Sequence, residues 1–194
     1  MVFLRNIALM VLAVLLNGCY SNDDSYYGAT IYVSTKDAFT FPESNEFTVG
    51  DTLIIEQRFS RYLEEEGYAE LLDVYESTDS EEFGFNFQME QYSEFSQDYN
   101  WLFLDSQFIL GKKLDTGYQA NAIALTLNEE KDVYESRMGI VLSESGRFRL
   151  NLQGVTFFSG NDFYYDETVS IGVEHLFTNE DDALWEFTVI NPTN

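Results

Sequence analysis

One cysteine, one histidine, two prolines and ten basic residues are all that this 194-residue chain holds of those types. Each shortage excludes something. The single thiol, Cys19, rules out an internal disulfide, so a core or bound ions must hold the fold. One histidine, His175, with no second cysteine rules out a four-ligand His/Cys zinc site. Two prolines, Pro42 and Pro192, leave no proline-rich linker. Ten Lys and Arg stand against 34 Asp and Glu, and the net charge of -24 repels nucleic acid and bare anionic lipid. Divalent cations, cationic partners and neutral glycans stay open. The plainest role of the charge is to keep the protein dispersed, at some cost in self-repulsion.

What the chain has in plenty is aromatic surface. Hydrophobic residues make up 45% and aromatics 16%, too much for a disordered acidic chain and enough for a real core. These residues alternate with polar ones. Phe83, Phe85, Phe87 and Met89 point one way, and Gly84, Asn86, Gln88 and Glu90 the other. Phe148, Leu150 and Leu152 oppose Arg147, Arg149, Asn151 and Gln153; Met138, Ile140 and Leu142 form a third run. Period two with one wet face predicts half-buried antiparallel strands. Further strands are expected over Thr30–Ser34, Phe47–Val49, Thr52–Ser60, Leu71–Ser77, Ala122–Leu127, Val169–Phe177 and Trp185–Ile190. Turn residues separate them at Gly50-Asp51, Glu66-Gly67, Asp115-Thr116-Gly117, Ser145-Gly146 and Gly160-Asn161-Asp162. Arg61–Leu72 is the one stretch that reads as a short helix, and Gly67 interrupts it. Many short strands at this spacing predict an all-β sandwich or barrel.

The first 28 residues read differently. Arg5 is the only charge before Cys19, and Ile7 to Leu16 is apolar throughout. A positive start, an apolar run of about 10 residues and a small residue before the cut describe a secretory signal, and the run falls short of the about 20 a membrane span needs. Leu16-Asn17-Gly18-Cys19 resembles a bacterial lipobox, in which cleavage before the cysteine follows lipidation of its sulfur. The resemblance implies a signal peptide over 1–18, a lipidated Cys19 that leads an acidic tether over 19–28, and a single domain over 29–194. It also implies a membrane partner reached through the lipid anchor, since several acyl chains hold stably where one holds marginally. Ser21-Asn22-Asp23-Asp24 is similar to the export signal of Bacteroidetes-type surface lipoproteins. That implies the outer membrane and display at the cell surface; the periplasmic face is the alternative.

Ser143 to Leu150 resembles the corner that enters the F strand of immunoglobulin-like sandwiches. Phe148 stands where the tyrosine of that corner is usual and Leu150 where the cysteine is, so the phenol hydrogen bond and the disulfide are both missing. Phe47 to Ile54 is similar to an early strand–turn–strand of such a fold. The whole resembles uncharacterised Bacteroidetes-type β-sandwich lipoproteins. The expected fold is an antiparallel immunoglobulin-like β-sandwich, and fold alone supplies no activity.

Chemistry is thinly signalled. His175 shares a face with Val169, Ile171, Val173 and Phe177, which reads as a core-rim histidine; no Gly-x-Ser-x-Gly elbow supports it as a general base. No residue is singled out as catalytic. Carboxylate pairs for glycoside hydrolysis are too abundant among 34 acids to single any out. Asp162, Asp166 and Glu167 with Asn161, and Asp181 and Asp182 with Asn179 and Glu180, offer the oxygen donors calcium takes, and a solvated loop is the bland alternative. Trp101, Tyr164 and Tyr165, with Tyr99 and Phe163 beside them, are the aromatics expected in or near loops, where they could stack on sugars. The sequence therefore points first to a non-enzymatic binding or structural module with a glycan or protein partner. A calcium-dependent glycan-binding lipoprotein and a carboxylate hydrolase are the alternatives.

Overall fold

Wherever apolar and polar residues alternate, the backbone is extended. The computed structural model describes residues 30–102, 104, 109–113, 121–159, 170–179 and 183–192. Its strands are β1 (Thr30–Lys36), β2 (Phe39–Thr40), β3 (Glu46–Thr48), β4 (Thr52–Ser60), β5 (Tyr62–Leu63) and β6 (Leu72–Asp73). After one short helix, α1 (Val74–Thr78), come β7 (Glu82–Ser93), β8 (Asp98–Leu102), β9 (Ile109–Leu110) and β10 (Asn121–Asn128). The last are β11 (Val133–Val141), β12 (Gly146–Asn151), β13 (Thr156–Ser159), β14 (Ser170–Leu176) and β15 (Leu184–Ile190). In β4, Leu53, Ile55, Gln57 and Phe59 are buried while Thr52, Glu56, Arg58 and Ser60 are exposed. Gln57 is the polar exception on the inner face. Its amide donates to the Ile55 carbonyl at 3.1 Å and its oxygen accepts from the Ser136 hydroxyl at 2.5 Å.

Thirteen of the strands form one curled sheet, in the order β1-β14-β13-β7-β10-β11-β4-β2 with a branch at β7. The branch arises because β7 is twelve residues long and changes partners midway. Its first half pairs with β10 and β13, and its second half with β12 and β8; β15 and then β3 follow β12. The two ends of the path, β1 and β2, are separated by only Asp37 and Ala38. One kinked strand thus hydrogen-bonds to β14 with its first part and to β4 with its second, which brings the sheet round on itself. Asp37 makes the kink in the left-handed region at φ 50°, and the Ala38 carbonyl accepts the Arg58 N–H at 2.8 Å.

Two pairings correct the expectation of an all-antiparallel sheet: β1 with β14 and β3 with β15 run parallel. Parallel neighbours need a long crossover, and here nearly the whole chain separates the partners. The expected helix over Arg61–Leu72 is also corrected. Gly67 turns the chain at φ 89°, β5 pairs with β6, and Arg61 donates two hydrogen bonds to Asp73 at 2.7 and 2.5 Å. The helix lies one step later, over Val74–Thr78, and overlaps the stretch Leu71–Ser77 expected as strand. The Asp73 carboxylate also accepts the Glu76 N–H at 3.1 Å, capping α1, and Asp79 ends it in the left-handed region. The cap is a local contact across three residues, while the hold of Arg61 on Asp73 spans twelve.

The core is aromatic. Phe59, Phe83, Tyr134 and Phe157 meet with ring centroids 4.8–5.4 Å apart, in edge-on, stacked and tilted pairs. Phe148 and Leu150 are both buried, as their alternation requires, and Phe148 stacks on Phe187 at 5.6 Å. The turn over 48–51 carries the chain from β3 to β4. Gly50 sits there at φ 99°, and the Asp51 carboxylate accepts the Thr48 N–H at 2.7 Å. Among the described residues no helix is long and apolar enough to cross a membrane.

Candidate functional site

The outward face of β8, β7, β12 and β15 carries what the inward face cannot: charge, and aromatic rings within reach of solvent. Register aligns one row across these four strands, Trp101 beside Glu90, Glu90 beside Arg149, and Arg149 beside Glu186. Tyr99 beside Tyr92 begins a second row. Trp101, Glu90, Arg149 and Glu186 each adjoin a residue packed in or against the core (Leu102, Met89, Phe148 and Phe187), so period two turns these four to the opposite face.

The face is preorganised by stacking and ion pairing. The Arg147 guanidinium lies 3.6 Å from the Tyr92 ring centre and Arg149 lies 4.2 Å from that of Tyr99. Tyr92 and Tyr99 meet edge-on at 5.4 Å. Glu90 is nearly enclosed, at 5% exposure, and its two oxygens accept from Arg149 Nε and from the Asn151 amide. Burial lifts the pKa of the Tyr99 phenol above its usual value, and the charge of Glu186 and its hydrogen bond to the phenol push the same way. Arg147 also reaches Glu94 at 3.5 Å, an exposed pair that adds little to stability. Trp101 remains 60% exposed, and Phe95, on the turn between β7 and β8, is fully exposed.

Trp101 and Tyr99, expected in or near loops, lie on the edge strand β8 just after the turn at 94–97, and a strand fixes their direction more firmly than a loop does. Tyr164 and Tyr165, with Phe163, lie outside the described residues, as do Cys19 and the acidic residues Asp162, Asp166, Glu167, Asp181 and Asp182. Among the described residues no group of three His, Cys, Asp or Glu side chains could hold a metal ion. Sequence reasoning missed Tyr92, Glu90, Arg147, Arg149 and Glu186 as members of one surface. The signal was present in part: Arg147 and Arg149 alternate with core residues in a chain that has only ten basic residues. What the sequence could not say is that β7 and β15 flank them, with β8 beyond β7.

The one histidine is walled in. His175 is 7% exposed, its Nδ1 accepts the Ala38 N–H at 3.5 Å, and Phe39 and Phe177 pack edge-on against it. Burial pulls its pKa down to about 4.

No known family model matches the chain, and no curated protein does. Among solved structures it is similar to a cohesin module from a family 33 glycoside hydrolase of Clostridium perfringens. The identity is 14% and the TM-score 0.33, over 79% of this chain and 96% of that one. A likeness that loose bears on neither fold family nor function.

Proposed function

We propose that this protein is a non-enzymatic binding module, held at a membrane by lipid on Cys19 and making contact through the outward face of β8, β7, β12 and β15. The observation that carries the reading is the pair of arginines stacked on Tyr92 and Tyr99 beside an exposed tryptophan on an edge strand. Arginines immobilised this way have little left to lose in side-chain entropy on contact, which favours recognition over mere solvation. Two features support the absence of catalysis. The histidine is enclosed by phenylalanines, and the most buried carboxylate of the face, Glu90, has both oxygens engaged. The curled sheet supports reading the fold as an immunoglobulin-like β-sandwich in which β7 passes between layers. The Leu16-Asn17-Gly18-Cys19 stretch supports the anchor, at the outer membrane with the module facing outward.

Two measurements test this. Cys19→Ser should move the protein from the membrane to the soluble fraction and abolish metabolic fatty-acid labelling; an unlabelled native protein refutes the anchor. For the face, Trp185→Phe leaves Trp101 as the one tryptophan of two, and excitation at the red edge, beyond tyrosine absorption, reads it alone among this chain's thirteen tyrosines. Adding envelope material from the producing cells should shift Trp101 emission to shorter wavelength. Emission that no envelope fraction alters refutes the face as the contact surface.

A further inference from the structure

We infer that the ligand of this face is a neutral, polyhydroxylated chain, a polysaccharide without carboxylate or sulfate groups; the inference rests on the binding reading above. The row across the strands presents, in order, an exposed aromatic ring at Trp101, a donor-only guanidinium at Arg149 and an acceptor-only carboxylate at Glu186. Glu90 lies beneath them and holds Arg149 in place. A ligand crossing this row must satisfy a donor and an acceptor of opposite charge on neighbouring strands, about 5 Å apart. An anionic polymer would pair with Arg149 but meet Glu186, Glu94 and a body of net charge -24. A cationic one would meet the two arginines at the centre. A hydroxyl both donates and accepts, so a chain of hydroxyls satisfies Arg149 and Glu186 alike without bringing a charge of its own.

A protein partner fits less well. The centre of a protein interface is depleted in charged residues, with charge kept to the rim. Here the charged Glu90 and Arg149 stand in the middle of the row, and the hydrophobic ring, Trp101, stands at one end with Glu186 at the other. From β8 to β15 the row spans about 14 Å at ordinary strand spacing, room for a short oligosaccharide laid across the strands. The CH-rich face of a sugar ring would lie on Trp101, in the manner of apolar contact with an aromatic surface, and its hydroxyls would reach Arg149 and Glu186.

The test is affinity electrophoresis of the full-length protein in mild detergent. Native gels contain either neutral polymers (mixed-linkage β-glucan, galactomannan or starch) or anionic ones (polygalacturonate or hyaluronan). Retardation by at least one neutral polymer is expected. Trp101→Ala and Glu186→Ala should each weaken it about tenfold or more, while Tyr32→Ala, on the strand β1 at the edge of the other half of the sheet, leaves it unchanged. Circular dichroism confirms that each variant is folded. Retardation by anionic polymers alone, lost in Trp101→Ala, overturns the neutral ligand and leaves the face standing. Retardation that survives Trp101→Ala overturns both. No retardation in any gel, with Trp101 emission still shifted by a protein fraction of the envelope, overturns the polysaccharide in favour of a protein partner.

Discussion

Protonation of His175 is the perturbation whose consequence is most directly computable from the structure. The ring sits where the curled sheet meets its own edge, accepting the Ala38 N–H at the kink between β1 and β2. Its other nitrogen, Nε2, is buried with no hydrogen-bond partner among the described residues. Burial lowers its pKa from 6.5 to about 4, and the nearby charge of Asp37 offsets only part of that. The folded value lies below the unfolded one. Between the two the unfolded chain takes up the proton and the folded chain does not. The stabilisation is therefore complete above pH 6.5 and is lost progressively as the pH falls toward about 4. Two and a half pH units of difference correspond to about 3 kcal/mol at the acid end, and to about 2 kcal/mol at pH 5. Because His175 is the only histidine, its imidazole proton resonances need no assignment, and a proton NMR titration of untagged protein reads the midpoint directly. Acid also relieves repulsion among 34 carboxylates, which works in the opposite direction. Stability is therefore compared with His175→Phe by urea unfolding at each pH, where loss of the Ala38 acceptor is a constant offset. The two curves should converge as the pH falls from 6.5 to 4. A midpoint at or above 6.5, or parallel curves across that window, refutes the buried-neutral assignment.

Three further outcomes follow from the packing. Arg149→Ala should destabilise the fold by about 2–4 kcal/mol, because it strands the enclosed Glu90, and adding Glu90→Gln should restore most of the loss in urea unfolding. Tyr134→Phe removes a fully buried hydroxyl that donates to the Ser80 carbonyl at 2.7 Å, and a loss of about 1–2 kcal/mol is expected by thermal melting. Gly172→Ala would set a methyl group 2.8 Å from the Tyr32 ring and 3.3 Å from that of Phe158, but both rings lie at the surface, 57% and 39% exposed, with solvent to move into. The change should therefore lie within about 1 kcal/mol of neutral, and a loss well beyond that would show a ring to be pinned.

Period-two alternation was legible over most of the chain because a half-buried strand imposes it residue by residue. β4 coincides with the stretch read from sequence, and β7, β10, β12 and β15 differ from theirs by a few residues at the ends. The failures cluster where a distant partner decides the local conformation. Asp73 caps α1 and holds Arg61 at once, so the stretch expected as helix became a two-stranded pair and the stretch expected as strand became the helix. Glu90 gave no sign of burial, since its alternation places it on the wet face, and its hydrogen bonds to Arg149 and Asn151 come from β12, about sixty residues away.

Composition and pattern by themselves determined an all-β, disulfide-free, strongly acidic protein with an aromatic core, because these follow from residue counts and nearest-neighbour spacing. Tertiary structure alone decided which strands lie side by side: the parallel β1–β14 and β3–β15 pairs, the sheet meeting itself at Asp37 and Ala38, and the row from Trp101 to Glu186. Alternation orients a side chain in or out with no reference to the neighbouring strand. Pairing joins residues as far apart as 101 and 186, and no local spacing records which strands will meet.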